Sequence, residues 1–227
     1  MTDTRQHGRT RAAERARRRA AASGSGPVAE GEVTGRFPGA KNWFGLLGEV
    51  LTVGILVTLV SLPIVTMPAA LVAGVGHMRR FLRAEESTMA AAFAEFKAAL
   101  AGGALVALGA VVLTLVLLLD IDLANSGALP GGPVVGVIGW LGLAALGVAL
   151  FTAAGLWTTD AGWRGALKAL PTAIRRDPAG AAYTIATGAF AVVVTWQLAP
   201  LVVPALGCVV LAIVAIPERP RRSAHQT

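Results

Sequence analysis

Long apolar blocks with almost no charge are the feature of this chain that most constrains its fold. Trp43–Gly76 is 34 residues long with one acidic and no basic residue, and Ala179–Ile216 is 38 residues long with no charge. As α-helices these blocks would measure about 51 and 57 Å, whereas about 20 helical residues cross the roughly 30 Å hydrocarbon core of a bilayer. Each block is too long for one crossing, so we expect each to hold two membrane helices.

Prolines supply a break inside each block, because proline lacks a backbone N–H and disrupts a helix interior. Pro63 and Pro68 interrupt the first block, and Pro200 and Pro204 interrupt the second. The sequence therefore predicts two tight helical hairpins in addition to two single spans. The predicted crossings are Trp43–Leu62, Met67–Leu82, Ala99–Leu119, Val134–Leu156, Ala179–Leu198 and Pro204–Ile216.

The predicted fold class is thus an all-α, polytopic membrane protein with six transmembrane helices. The second span, Met67–Leu82, is short and contains His77, Arg79 and Arg80 near its end, so a re-entrant segment is the alternative there. A five-span layout would treat one hairpin as a single helix.

The 20 Lys and Arg residues are distributed as six spans require. Segments 1–42, 79–99, 157–178 and 217–227 hold nine, four, four and three of them, and the turns at 63–66, 120–133 and 199–203 hold none. Basic residues favour cytoplasmic loops. We therefore expect a multi-pass protein of the cell membrane with both termini in the cytoplasm.

The apolar domain, 43–216, is flanked by two basic tails. Residues 1–42 are rich in Arg, Ala, Gly and Ser and lack apolar periodicity, which predicts a disordered cytoplasmic tail. Residues 217–227 form a second, shorter basic tail. A nucleic-acid partner is not expected, because single-strand binding combines bases with aromatic side chains and no aromatic residue precedes Phe37.

Two cytoplasmic segments have the periodicity of amphipathic helices. Their apolar residues recur with the same spacing 74 residues apart, which suggests an internal repeat: Met89, Phe93, Phe96 and Leu100, then Trp163, Leu167, Leu170 and Ile174. The candidates for docking a partner are the aromatic, apolar and basic residues of these helices, Phe93, Phe96, Lys97, Trp163, Leu167 and Arg175. The alternative is that both helices lie in the membrane interface with the apolar face down.

Glu49 is the candidate for binding a substrate or ion. It lies seven residues into the first predicted span, where an ionisable side chain is costly and is by default a functional candidate. Glu49 could instead reach the inner interface or pair with His77 or Lys41. His77 and Thr66 are the other candidates, although Thr66 could simply satisfy backbone groups freed by the turn.

Enzymatic chemistry has little support in the sequence. One Cys and three His leave almost nothing for a metal centre, and the chain has no phosphate-binding, dinucleotide, zinc-protease or serine-hydrolase motif. We expect a non-enzymatic protein without cofactor or metal.

The segment LVSLPIVTMPAALVAG, followed by EESTMAAAF and FAEFKAAL, resembles the N-terminal signature of the YesL-like bacterial membrane proteins. The match extends over about Phe44–Leu100, with Met67 standing where the family has glycine. The matching residues are Pro63, Thr66, Pro68, Ala69, Arg79, Arg80, Phe93, Phe96 and Lys97. The resemblance implies an integral membrane protein of no established activity. Some members are encoded beside carbohydrate ABC-transport systems, so it also implies an accessory role in solute uptake with a transporter subunit as partner. A small channel or secondary carrier using Glu49 is the alternative.

Overall fold

The structure, a computed structural model, describes residues 37–127 and 130–219. In those ranges the chain forms seven α-helices and no strand, which confirms the predicted all-α class. The helices are α1 (Trp43–Val60), α2 (Met67–Leu82), α3 (Met89–Asn125), α4 (Gly132–Leu156), α5 (Gly162–Arg176), α6 (Pro178–Gln197) and α7 (Val202–Glu218). All seven lie in the compact unit that begins at Gly39.

Five of these helices, all except α2 and α5, are long and apolar enough to cross a membrane. Helix α2 has 16 residues, about 24 Å by helical rise, which is less than the roughly 30 Å hydrocarbon core. It is nevertheless the central helix, packed against α1, α3, α4 and α7. Leu71, Val75 and Met78 are almost fully buried. A sixth crossing at α2 stays a prediction.

Both predicted hairpins are present, with prolines at the beginnings of helices and turns. Pro68 is the second residue of α2, and Pro63 precedes a 3-10 turn at Ile64–Thr66. Pro200 lies in a second 3-10 turn, Ala199–Leu201, and Pro204 lies in the first turn of α7. Proline is tolerated at these positions because the first N–H groups of a helix have no intrahelical acceptor.

The separate helix beginning predicted at Ala99 is wrong. The cytoplasmic helix and the following span form one helix, α3, of 37 residues. Thr88 caps its N-terminus by accepting a hydrogen bond from the Ala91 N–H. No proline or other helix breaker lies between residues 89 and 125, so the helix continues where the estimate from membrane thickness had placed a boundary.

The corresponding elements later in the chain remain separate. Helix α5 ends at Arg176 and α6 begins at Pro178. The Asp177 carboxylate accepts a hydrogen bond from the Gly180 N–H at 2.8 Å and so caps α6. The Asp177-Pro178 dipeptide therefore ends one helix and begins the next, as its chemistry predicts.

Helices α1 and α7 cross at two glycines. A Cβ atom at Gly54 would lie 2.1 Å from the Val203 carbonyl oxygen, and one at Gly207 would lie 2.1 Å from the Val50 carbonyl oxygen. The two backbones are thus closer than any side chain would allow, as at many membrane helix interfaces. Gly74 of α2 packs against the same crossing.

The predicted tails lie mostly outside the described residues. Of segment 1–42, only 37–42 are described, and Pro38–Lys41 form a single 3-10 turn. Of segment 217–227, only 217–219 are described, and α7 extends beyond the predicted end at Ile216 to Glu218.

Candidate functional site at the polar end of α2

Glu49 of α1 and His77 of α2 form a side-chain pair. His77 Nε2 contacts Glu49 Oε1, and the His77 side chain is 2% exposed while that of Glu49 is 18% exposed. Pairing offsets part of the cost of placing ionisable groups inside an apolar bundle. The structure therefore bears out one of the alternatives for Glu49, a partnership with His77. The carboxylate and the imidazole together can hold and transfer a proton.

Thr66 does not belong to this pair. It is separated from His77 by eleven residues of α2, about 16 Å by helical rise. Its hydroxyl donates instead within the turn, to the carbonyl oxygens of Val60 and Pro63. Thr66 thus satisfies backbone acceptors that the proline break leaves free.

The last turn of α2 is bonded to both neighbouring helices by arginines. Arg79 donates to the carbonyl oxygen of Gly155 on α4. Arg80 Nη1 lies 2.6 Å from Glu95 Oε1 on α3. The Glu95 carboxylate rests directly on Gly76, where a Cβ atom would lie 1.7 Å from its Oε2. Sequence reasoning missed both contacts. The available signal was a run of arginines facing a lone glutamate across a short connection.

Trp163 fixes the amphipathic helix α5 to the bundle. Its indole N–H donates to the Ala99 carbonyl oxygen of α3 at 2.8 Å, and the side chain is 6% exposed. Its ring lies against Gly102 and Gly103. Trp163, predicted as a partner-docking residue, therefore packs within the chain itself.

The opposite side of α5 is exposed. Four exposed residues at helical spacing define what we term the outward face of α5: Arg164, Leu167, Lys168 and Arg175. Leu167 and Arg175, two of the predicted docking residues, are thus accessible.

The predicted docking residues of α3 lie elsewhere. Phe93 is 46% exposed and Lys97 is exposed, whereas Phe96 is half-buried. The two phenylalanines border a small apolar gap next to α1 and α2. Phe93 is nine positions from Gly102, about 180° around the helix. The structure therefore places the two predicted docking elements on opposite sides of α3.

A second ion pair ties the end of α7 to the beginning of α6. Arg219 Nη1 lies 2.7 Å from Asp177 Oδ2. Hydrogen bonding to this carboxylate raises the pKa of Arg219 above its ordinary value. The guanidinium group also lies over the Tyr183 ring, 5.3 Å from its centroid. The junction of α5 and α6 is thereby fixed to the last residues of the bundle.

Two cavities of about 330 Å³ each adjoin Arg79. One is lined mainly by apolar residues of α4, α5, α6 and α7, together with Arg176 and Asp177. The other lies between α2, α3 and the end of α4 and is rich in arginine. Open space in the bundle is thus found at the polar end of α2.

Within residues 37–127 and 130–219, no cluster of three or more His, Cys, Asp and Glu side chains could hold a metal ion. The resemblance to the YesL-like proteins stays a prediction. No protein-family profile, characterised protein or solved structure matches the chain.

Proposed function

We propose that this protein is a non-enzymatic membrane component that binds a subunit of a solute uptake system through the outward face of α5. The observation that carries the proposal is the direction of the apolar side of this helix. Trp163, Ala166 and Leu170 are buried against the protein. They are therefore already occupied, which argues against α5 lying apolar side down in the membrane interface.

The chemistry of the outward face indicates the kind of partner. Three basic side chains surround Leu167 on a helix that Trp163 holds in place. A preorganised basic surface favours an acidic partner surface, and a rigid surface loses less entropy on binding than a mobile one. The resemblance to proteins encoded beside uptake systems favours a transporter subunit as that partner.

Photocrosslinking tests this proposal directly. A photoactivatable residue at Leu167 is expected to crosslink in native membranes to one transporter subunit, identified by mass spectrometry. The same probe at Trp196, which is 88% exposed on α6, serves as the control and is expected to give only lipid adducts. Reversing the charges of Arg164 and Lys168 should lower the crosslinking yield about tenfold, since each rim charge contributes on the order of 1 kcal/mol. Lipid adducts alone at Leu167 would contradict the proposal.

The Glu49–His77 pair favours a second candidate function, a small channel or secondary carrier. An ionisable pair between two membrane helices is a common element of proton-coupled transport. Solute flux by the purified protein in liposomes, abolished by Glu49→Gln, would support this candidate over partner binding.

We also propose that both chain ends face the cytoplasm. The chain has one cysteine, Cys208, so Cys208→Ser gives a cysteine-free background for labelling with a membrane-impermeant maleimide. Ser126→Cys, between α3 and α4, is expected to react in intact cells, whereas Glu86→Cys, between α2 and α3, should react only after permeabilisation. Leu62→Cys should react from outside if the first hairpin crosses completely. Labelling of Glu86→Cys in intact cells would exclude this orientation.

A further inference from the structure

We propose that the cavity between α2, α3 and the end of α4 binds a phosphate group. We term it the arginine cavity. It encloses about 330 Å³, enough for a phosphate group and part of the molecule that carries it. Its hydrogen-bond donors come from six side chains, Arg79, Arg80, Arg83, Trp157, Thr158 and Thr159.

Several donors of this cavity have no acceptor in the protein. The Trp157 indole N–H and the Nε and Nη2 groups of Arg80 are buried and lack a hydrogen-bond partner among the described residues. Trp157 is 7% exposed, so water does not readily replace the missing partner. An unsatisfied buried donor costs about 1–3 kcal/mol. Such donors on residues that line one cavity indicate an acceptor that binds there.

The charge of the cavity favours an anion as that acceptor. Three guanidinium groups face two carboxylates, those of Glu85 and Glu95. Glu95 is engaged by Arg80, and Glu85 is exposed. Arg79 donates to a neutral carbonyl group, that of Gly155. Positive charge therefore remains in excess.

The geometry of the donors favours phosphate over a carboxylate. Guanidinium groups bind phosphate oxygens in pairs, and arginine is enriched wherever phosphate is recognised. Thr158 Oγ1 accepts a hydrogen bond from the Ala161 N–H at 3.2 Å, which leaves its own proton for donation. Indole, hydroxyl and guanidinium donors together suit a tetrahedral anion with several oxygens. The phosphate could belong to a soluble ion or ester or to a phospholipid headgroup, and the chemistry is shared.

Trp157→Phe tests the site with little disturbance of the fold, because it removes one N–H that bonds to nothing in the described protein. Calorimetry with inorganic phosphate, and native mass spectrometry of protein from nanodiscs containing phosphatidylglycerol, measure the two sources separately. We expect wild-type protein to bind at least one probe, and Trp157→Phe to weaken that binding about tenfold or more. Without ligand, the melting temperature of Trp157→Phe should equal that of wild type.

Arg83→Gln is a second variant that removes charge from an exposed position and should weaken binding by a similar factor. Arg164→Gln, outside the cavity, is the charge-matched control and should bind as wild type does. Binding of inorganic phosphate would identify a soluble ligand, and binding of phosphatidylglycerol alone would identify a lipid.

Three outcomes would overturn the proposal. The first is that wild-type protein binds neither probe. The second is that both variants, Trp157→Phe and Arg83→Gln, bind as tightly as wild type. The third is that acetate binds as tightly as phosphate and loses affinity equally in the variants. These outcomes are independent of crosslinking at Leu167, so partner binding and phosphate binding stand or fall separately.

Discussion

Alanine at Gly54 is expected to lower the free energy of unfolding by about 3 kcal/mol or more. The added methyl group would lie 2.1 Å from the Val203 carbonyl oxygen. A backbone atom of α7 cannot rotate away as the end of a side chain can, so the two helices would have to separate. That separation would also loosen the contact of Gly74 with the crossing. Unfolding in detergent, followed by circular dichroism against temperature and denaturant, measures the effect.

Gly48→Ala is the matched control on the same helix. No atom lies within 4 Å of a Cβ placed at Gly48, and alanine favours a helix by about 1 kcal/mol over glycine. Its stability should equal or slightly exceed that of wild type. Equal melting temperatures for the Gly54 and Gly48 variants would mean that α1 and α7 do not cross closely.

Trp163→Ala is expected to have the second large effect. Truncating a buried tryptophan typically costs about 3–5 kcal/mol, and the hydrogen bond to the Ala99 carbonyl oxygen is lost as well. The damage should concentrate in α5, which would leave α3 and become sensitive to protease in the segment 157–161. Limited proteolysis in nanodiscs, with cleavage sites identified by mass spectrometry, would show this.

The control for Trp163 is Trp196→Ala. Trp196 is 88% exposed, so its truncation should change stability by no more than about 0.5 kcal/mol. If both tryptophan variants remain equally resistant to protease, α5 is not held by Trp163. The proposal for its outward face would then lose its structural basis.

The hairpins could be predicted because their cause is local. A proline removes a donor wherever it stands, so Pro63 and Pro68 mark a break whatever the rest of the chain does. The Glu49–His77 pair was one of few alternatives, since ionisable residues are scarce in this region. These features depend on residue chemistry close in the sequence.

The remaining features depend on which helix faces meet. The predicted boundary at Ala99 relied on membrane thickness and ignored that nothing in residues 89–125 breaks a helix. The crossing at Gly54 and Gly207 was missed because a glycine in an apolar helix has no signature until its neighbour is known. Likewise, Arg80 and Glu95 are ordinary interface charges until α2 and α3 are seen side by side.

The unbroken length of α3 has a mechanical consequence. At 37 residues it is a rod of about 55 Å, and the attachments to Glu95 and Trp163 both lie in its first half. A rotation of 10° about the middle of such a rod would displace each end by about 5 Å. Force applied through α5 would therefore be delivered, as by a lever, to the connection between α3 and α4 at the far end.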